Sequence, residues 1–215
     1  MSRAVLTVSH DPDTVEFQLL GRELACPLCP GRLRPWGFGV GRVIRCGVPV
    51  AGRLFTPRRA RCSDCAATHI LLPPGLAARR ADHAGVIAEA VELNIVQGAG
   101  HRKIAAVLGR PETTVRDWLR TFSANAPAVM AAFALRVHRG TAEALGFWPA
   151  PAPTWKSNAL GMVMAHARVL AHLHRAVAQS VVTVPWQYAA LFAHGPWFFS
   201  RVGWPDGCNT SPPCR

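Results

Sequence analysis

The sequence predicts an α+β fold that is mainly α. Two Cys-x-x-Cys pairs lie within residues 21–76, where short β-branched and aromatic runs alternate with glycine and proline, a pattern typical of short strands and turns. Helical periodicity begins near Ala77 and continues to Phe122. An amphipathic pattern returns between residues 127 and 179, which predicts a helical carboxy-terminal segment.

Positive charge is concentrated in one part of the chain. Lysine and arginine together number 24, against 12 aspartates and glutamates. Residues 21–80 hold 11 arginines but only two acids, Glu23 and Asp64, whereas residues 81–123 are balanced. A GC-rich genome raises arginine usage everywhere, so it does not explain this concentration. A polyanionic partner, either nucleic acid or an anionic membrane surface, is expected.

Of these two partners, the membrane is not favoured. Residues 176–200 carry no Asp, Glu, Lys or Arg, and a stretch of this length can span a bilayer. However, Gln179, Pro185 and Gln187 interrupt it, which favours a buried pair of short helices. Residues 1–20 have no continuous apolar core behind a basic start, so no signal peptide is expected. The paired cysteines also indicate a reducing, cytoplasmic compartment.

The two cysteine pairs, Cys26/Cys29 and Cys62/Cys65, are separated by 32 residues. Each pair can form a tight turn whose amides point at the thiolates, and the two turns can meet across a small sheet. Four thiolates give the tetrahedral arrangement that zinc accepts. The sequence therefore predicts one structural Zn2+ ion in a small zinc ribbon. A site closed by four cysteines leaves no open position for catalysis.

Other interpretations of these residues remain. Cys46 and His69 are competing ligands, each able to replace one cysteine. A thioredoxin-like redox pair needs a βαβ unit, and the pattern contains none. Five further residues are not expected to bind metal: His166, His172, His174, Cys208 and Cys214.

Residues 101–120 match a helix-turn-helix. Small and apolar side chains recur where two crossed helices would touch, and Gly109 supplies the left-handed backbone that a short turn between them needs. Pro111 and Glu112 are typical of the start of the second helix. The positions expected to face inward are Ile104, Ala105, Leu108, Val115 and Trp118.

The outward positions of this motif are predicted to contact DNA, because such positions of a recognition helix reach base edges and phosphates in the major groove. They are Glu112, Thr113, Thr114, Arg116, Asp117 and Arg120, with Arg102 and Lys103 of the first helix. A second set is expected to hold phosphates from the ribbon. It comprises Arg32, Arg34, Arg42, Arg45, Arg53, Arg58, Arg59 and Arg61. The alternative for residues 101–120 is an ordinary αα-hairpin with a solvated face.

These patterns divide the chain into five segments. They are residues 1–20 (short strand and helix lead-in), 21–76 (zinc ribbon), 77–123 (helix-turn-helix domain), 124–200 (helical, with a proline-rich connector near 146–154) and 201–215 (loose tail). The lead-in helix is expected to begin at Asp11-Pro12. Later helices are expected from about Pro127 to Leu145 and from about Ser157 to Gln179. The second of these helices is amphipathic, and the residues on its apolar face are Leu160, Val163, Met164, Ala167, Leu170, His174 and Val177.

The cysteine pairs and the helix-turn-helix resemble parts of a known class of protein. Residues 59–69, RARCSDCAATH, are similar to the second knuckle of the amino-terminal zinc ribbons of bacterial insertion-sequence transposases. Residues 113–120 resemble the helix-turn-helix that follows such ribbons. Over roughly residues 5–200, the chain resembles an uncharacterised family from high-GC bacteria; the shared motifs are CPLCPGRLRPWG from Cys26, THILLP from Thr68, and the helix start Trp186-Gln187. The resemblance implies DNA binding linked to mobile elements.

The sequence departs from that of a complete transposase. Strand transfer in that superfamily needs three carboxylates that hold two metal ions, but only Glu143 and Asp206 follow Phe122. Tyr188 has no adjacent arginine cluster, so a tyrosine recombinase is not expected either. No acid, base and nucleophile converge, and no enzymatic activity is predicted.

The sequence thus predicts a non-catalytic, nucleoid-associated protein that binds double-stranded DNA at specific sequences. It would act as a regulator or as the DNA-recognition component of a mobile element. The carboxy-terminal helices are expected to mediate homodimerisation or to dock a recombinase partner. The alternative is a protein-interaction module that docks a polymerase or recombinase subunit. The balanced charge of residues 81–123 is compatible with this alternative.

Overall fold

The computed structural model describes residues 4–47, 50–178 and 180–200. Within these ranges the chain is α+β, as predicted, with seven helices and six strands. In chain order the elements are β1 (Ala4–Thr7), α1 (Pro12–Leu20), β2 (Leu33–Phe38), β3 (Arg42–Cys46), β4 (Ala51–Phe55), β5 (Arg58–Cys62), β6 (Thr68–Leu72), α2 (Ala84–Val96), α3 (His101–Leu108), α4 (Glu112–Gly140), α5 (Ala144–Phe147), α6 (Trp155–Ala178) and α7 (Trp186–His194). The predicted tail, residues 201–215 with Cys208 and Cys214, lies outside the described residues.

The chain folds into two compact units. The cysteine unit consists of the described residues up to Gly85 together with residues 191–200. The helical unit is Val86–Ala190. The segment boundaries expected at residues 76/77 and 123/124 do not coincide with the boundaries of these units.

The cysteine unit is built on a four-stranded sheet in the order β1-β6-β5-β2. Strand β1 pairs with β6 in parallel, and the other two pairs are antiparallel. On one face of the sheet, Val15 and Leu19 of α1 pack with Leu33, Ala60 and Leu71 in a single buried cluster. Strands β3 and β4 form a separate antiparallel hairpin.

Helix α1 begins where the sequence predicts. The carboxylate of Asp11 accepts backbone N–H bonds from Asp13 (3.3 Å) and Thr14 (3.1 Å), and Pro12 occupies the first turn. These contacts satisfy donors that the helix itself cannot pair. The cap fixes the start of α1, and Val15 and Leu19 then fall on the face that packs on the sheet.

The helical unit centres on α4, which packs along α6. Val137 of α4 shares an apolar cluster with Ala165 and Val169 of α6. The ring of Phe133 meets His166 edge to face, with centroids 5.5 Å apart. The buried apolar side chains of α4 recur at helical spacing and form one stripe: Val115, Trp118, Phe122, Ala126, Val129, Phe133 and Val137.

The predicted end of a helix near residue 123 and the new start near Pro127 are wrong. The structure describes residues 112–140 throughout, and α4 runs unbroken across them with Pro127 inside. An internal proline removes one backbone hydrogen bond and costs about 3 kcal/mol. Pro127 is exposed while Ala126 and Val129 beside it are fully buried, so burial of the apolar stripe outweighs that cost.

Helix α6 agrees with the expectation only in its first half. It begins at Trp155, after the non-helical residues 148–154 where the proline-rich connector is predicted. Residues 172–178 are exposed, so the expectation that His174 and Val177 belong to the buried face is wrong. The expected end at Gln179 lies outside the described residues. No helix in the described ranges is long and apolar enough to cross a bilayer.

Candidate metal centre and basic surfaces

The four predicted cysteines come together at one end of the sheet of the cysteine unit. Cys26 and Cys29 lie between α1 and β2, while Cys62 ends β5 and Cys65 lies in the turn before β6. The antiparallel pairing of β2 with β5 places Leu33 opposite Cys62, which brings the two turns side by side. Cys29 and Cys62, which are 33 positions apart in sequence, thus reach one point because neighbouring strands carry them there.

The sulfur atoms have the spacing of a metal site. All four Sγ atoms lie within 4.8 Å of one another. The distance from Cys26 to Cys65 is 3.8 Å, and the distance from Cys29 to Cys62 is 3.4 Å. Four Zn–S bonds of roughly 2.3 Å in a tetrahedron place the sulfurs about 3.8 Å apart. The donor set and its spacing therefore fit a zinc ion.

Backbone N–H groups support negative charge on these sulfurs. The amide of Leu28 lies 3.4 Å from Sγ of Cys26, and the amide of Asp64 lies 3.4 Å from Sγ of Cys62. Burial opposes ionisation of Cys62, but the amides of Cys65 and Asp64 prevail and lower its pKa to about 7. Burial raises the pKa of Cys26 to about 12. A bound cation is thus what would keep the Cys26 thiol ionised at neutral pH.

Gly31 is part of the site, although spacing alone did not single it out. A Cβ atom on Gly31 would lie 2.7 Å from Sγ of Cys62 and 2.7 Å from the side-chain carbon of Asp64. The two cysteine turns pass too close here for any side chain. The signal available in the sequence was a glycine two residues after the second cysteine of a pair.

The competing ligands lie outside the four-cysteine group. His69 is fully buried, and its Nε2 atom lies 3.5 Å from Sγ of Cys26. Its Nδ1 atom has no hydrogen-bond partner within the described residues. Cys46 lies on β3, where its thiol donates to the carbonyl of Ile44 at 3.8 Å. His69 therefore contacts the four-cysteine group without belonging to it, and Cys46 does not belong to it either.

Arg58 and Arg45 are less available to phosphate than the sequence suggests. The guanidinium of Arg58 forms an ion pair with Glu16, with one N···O distance of 3.0 Å, and donates to the carbonyl of Gly37 at 2.6 Å. Arg45 donates to the buried carboxylate of Asp82 at 2.5 Å. Both side chains are thus committed to contacts inside the cysteine unit.

Other arginines of the cysteine unit present charge to solvent. Arg34 and Arg61 face each other across β2 and β5. The guanidinium of Arg61 lies 4.5 Å from the ring centre of Trp36, and that of Arg34 lies 6.0 Å from it. Trp36 is 42% exposed. Arg32, Arg34 and Arg53 are exposed, whereas Arg42, Arg59 and Arg61 are half-buried. The Nε atom of Arg61 donates to the carbonyl of Ala66 at 3.2 Å.

The helices α3 and α4 are joined as predicted. Gly109 ends α3 in the left-handed region (φ 60°, ψ 40°), and α4 begins three residues later at Glu112. The five positions expected to face inward are all buried: Ile104, Ala105, Leu108, Val115 and Trp118.

The outward positions of α3 and α4 are exposed with two exceptions. Thr114 and Asp117 are half-buried, so they do not lie fully on the outer face. Arg102 and Glu112 are both exposed and form an ion pair at 3.5 Å. The remaining predicted contacts are exposed, namely Lys103, Thr113, Arg116 and Arg120. Within the described residues, Lys103, Arg116 and Arg120 make no ion pair.

No known protein family, curated protein or solved structure matches the chain significantly.

Proposed function

We propose that this protein binds double-stranded DNA at specific sequences, and that the first turns of α4 read the bases. The observation that carries the proposal is the arrangement of α3, Gly109 and α4. Val115 and Trp118 are anchored in the core of the helical unit, which leaves Thr113, Arg116 and Arg120 exposed on the other side of the same turns. A rigid helix that presents arginine and threonine on an exposed face is the arrangement that reads a major groove.

The cysteine unit contributes phosphate contacts in this proposal. Arg34 and Arg61 present two positive charges beside Trp36 on the same face of the sheet. Arginine forks bind phosphate oxygens with two hydrogen bonds, and they do so independently of sequence. This surface would supply affinity and salt dependence, while α4 would supply sequence preference.

We further propose that the four cysteines hold one structural zinc ion. The ion would link the turn before β2 to the turn after β5, and so fix the strands that carry Arg34 and Arg61. The resemblance of residues 59–69 to transposase zinc ribbons supports a role in recognising mobile-element DNA.

The decisive experiment is selection of bound fragments from random duplex DNA, followed by titration of the selected duplex and a scrambled one. Arg116→Ala should weaken binding to the selected duplex by about 1–3 kcal/mol and relax one or two base positions. Arg61→Ala should weaken both duplexes alike and flatten the salt dependence by about one unit of slope.

Arg139→Ala is the matched control for Arg116→Ala. Arg139 is also an exposed arginine of α4, but it lies about 35 Å further along the helix axis, at a rise of roughly 1.5 Å per residue. Its removal should leave the sequence preference unchanged. Equal losses from Arg116→Ala on selected and scrambled duplexes would show that α4 does not read bases.

A second candidate function is docking to another protein. Val43 and Leu54 are directly opposed on the β3–β4 hairpin, and they are 58% and 75% exposed. An exposed apolar pair on a hairpin is a feature of protein-binding surfaces. A duplex selection that recovers no preferred sequence would favour this second function over DNA recognition.

A further inference from the structure

A cavity of about 720 Å³ opens on the second face of the sheet in the cysteine unit. Val5, Ile70 and Leu72 form its floor. Side chains alternate along a strand, and Leu71 of the same strand faces α1, so this floor lies opposite α1. The volume is in the range of small-molecule sites, roughly 300–1,000 Å³.

Three arginines line this cavity, and no acid does. Arg42, Arg59 and Arg79 come from β3, β5 and the segment before α2. Within the described residues, none of the three forms an ion pair with a carboxylate. Three cations that share one concave wall repel one another, and a low-dielectric wall strengthens that repulsion. An anion bound between them would remove this cost.

Arg42 has an unsatisfied donor beside this cavity. Its Nε atom is buried and has no hydrogen-bond partner among the described residues. Burial also lowers the pKa of its guanidinium. Buried donors of a charged group are almost always paired in folded proteins, because leaving one unpaired is costly. The buried Nε is not open to the cavity, but Arg42 lines it, so an anion bound there would compensate the charge of this guanidinium.

Arg79 and Trp197 form an aromatic wall of the same cavity. The guanidinium of Arg79 lies 5.4 Å from the centre of the Trp197 ring. Arg79 has a left-handed backbone (φ 59°), which a side-chain-bearing residue rarely adopts. Its neighbours hold it there: the amide of Ala78 donates to Pro196 at 2.7 Å, and Arg80 donates to the carbonyl of Phe199 at 2.6 Å.

We propose that this cavity binds a nucleotide, with its phosphate held by Arg42 and Arg59 and its base packed against Arg79 and Trp197. A phosphate monoester carries nearly two negative charges at neutral pH and offers three acceptor oxygens, so it matches several arginines better than a single carboxylate does. A planar base stacks well on indole and guanidinium surfaces. The apolar floor accommodates the uncharged part of such a ligand.

This site goes beyond the proposed duplex binding and does not depend on it, because α3 and α4 contribute nothing to it. Two sources can supply the same ligand chemistry: a free mononucleotide, or the terminal residue of a single-stranded DNA that carries an end phosphate and an unstacked base. Both place a phosphate and a base in one cavity, so the test must separate them.

The experiment is calorimetric titration of the zinc-loaded protein with three probes: deoxyadenosine 5′-monophosphate, deoxyribose 5-phosphate and a ten-residue deoxyadenosine oligonucleotide with a 5′-phosphate. Arg59→Gln should weaken nucleotide binding about tenfold, because a charge-assisted hydrogen bond is lost. Trp197→Leu should weaken it by a similar factor through lost stacking. Arg42→Gln gives a second test of the arginines if Trp197→Leu fails to fold.

Arg53→Gln is the matched control, because Arg53 is an exposed arginine of the β3–β4 hairpin that does not line the cavity. Tight binding of the mononucleotide would support a free-nucleotide site, and binding of the oligonucleotide alone would support a single-strand site.

Equal weakening by Arg53→Gln and Arg59→Gln would overturn the proposal. Equal binding of deoxyribose 5-phosphate and the mononucleotide would overturn the role of the base. Arg116→Ala should leave the titrations with the mononucleotide and with deoxyribose 5-phosphate unchanged, so failure here is separable from failure of duplex recognition.

Discussion

At the scale of single residues, Cys62 and Cys46 offer a direct comparison of two thiols in the cysteine unit. Cys62 is buried within the four-sulfur group, whereas Cys46 is half-buried and lies outside it. We expect Cys62→Ser to abolish stoichiometric zinc binding, because a serine hydroxyl does not replace a thiolate as a ligand. Cys46→Ser should retain one zinc ion per chain. Metal analysis of both proteins, purified without chelator, measures this difference, and zinc loss in Cys46→Ser alone would refute the assigned ligand set.

A second prediction at this scale concerns His166, a residue of α6 that packs against α4. Burial and the nearby Arg136 lower its pKa to about 4. Below pH 6.5 the unfolded chain takes up a proton at this residue, whereas the folded protein resists it until about pH 4. The free energy of unfolding should therefore fall as the pH is lowered, by about 2 kcal/mol from this residue at pH 5.

His166→Leu should make the free energy of unfolding less dependent on pH between 7 and 5, because the titrating group is gone. His174→Leu is the control, since His174 lies on the same helix but is exposed. Denaturant titrations at both pH values give the comparison. Identical pH dependences for His166→Leu and the unaltered protein would mean that other buried groups, such as His69 and His83, account for the effect.

At the scale of secondary-structure elements, α4 tests whether tertiary packing holds a proline inside a helix. Pro127→Ala restores a backbone donor and removes a clash in the middle of α4, so we expect the protein to become more stable by about 1–2 kcal/mol. Pro111→Ala is the control, because Pro111 precedes the first turn and its missing N–H is not part of the helix ladder. Thermal unfolding of both variants would decide the matter, and destabilisation by Pro127→Ala would contradict our account.

The same elements show which parts of the fold could be predicted. The start of α1 and the turn at Gly109 depend on local chemistry, namely a capping carboxylate and a left-handed glycine, and both were predicted correctly. The course of α4 through Pro127 depends on burial of its apolar stripe, which packs along α6, a helix that begins 28 residues after Pro127. Likewise, His174 continues the apolar periodicity of α6 but is exposed. Periodicity predicts a face but not where its packing partner ends.

At the candidate site, features that depend on local sequence spacing could be predicted, whereas contacts between residues far apart in the sequence could not. Two Cys-x-x-Cys turns are a local signal, so the four-cysteine group could be predicted without knowing the sheet. The ion pair between Arg58 and Glu16 joins residues 42 positions apart. No local pattern predicts such a pair, and Arg58 was therefore grouped with the arginines that face solvent. The cavity beside Trp197 escaped prediction for the same reason.

At the scale of the whole molecule, the two units differ in what holds them together. In the cysteine unit, Cys26 and Cys62 are themselves members of the apolar core beneath α1. In the helical unit, the buried residues of α4 and α6 include no cysteine. A structural zinc ion contributes on the order of 10 kcal/mol in small zinc-binding peptides, which is as large as the entire stability of a typical domain, about 5–15 kcal/mol. Loss of zinc should therefore affect the two units unequally.

The last prediction follows from this inequality. Removing zinc with a chelator should unfold the cysteine unit, including α1, while α4 and α6 keep most of the helical circular-dichroism signal. The surface around Arg61 belongs to this unit, so the salt-dependent affinity for any duplex should fall when the unit unfolds. The preference for the selected duplex should persist and remain sensitive to Arg116→Ala. Cys62→Ser, measured without chelator, checks that the effect comes from the metal site and not from the reagent. If chelation instead abolished the helical signal in one cooperative step, the core of α4 and α6 would depend on the metal. The proposal that the cysteine unit supplies affinity while α4 independently supplies sequence preference would then be wrong.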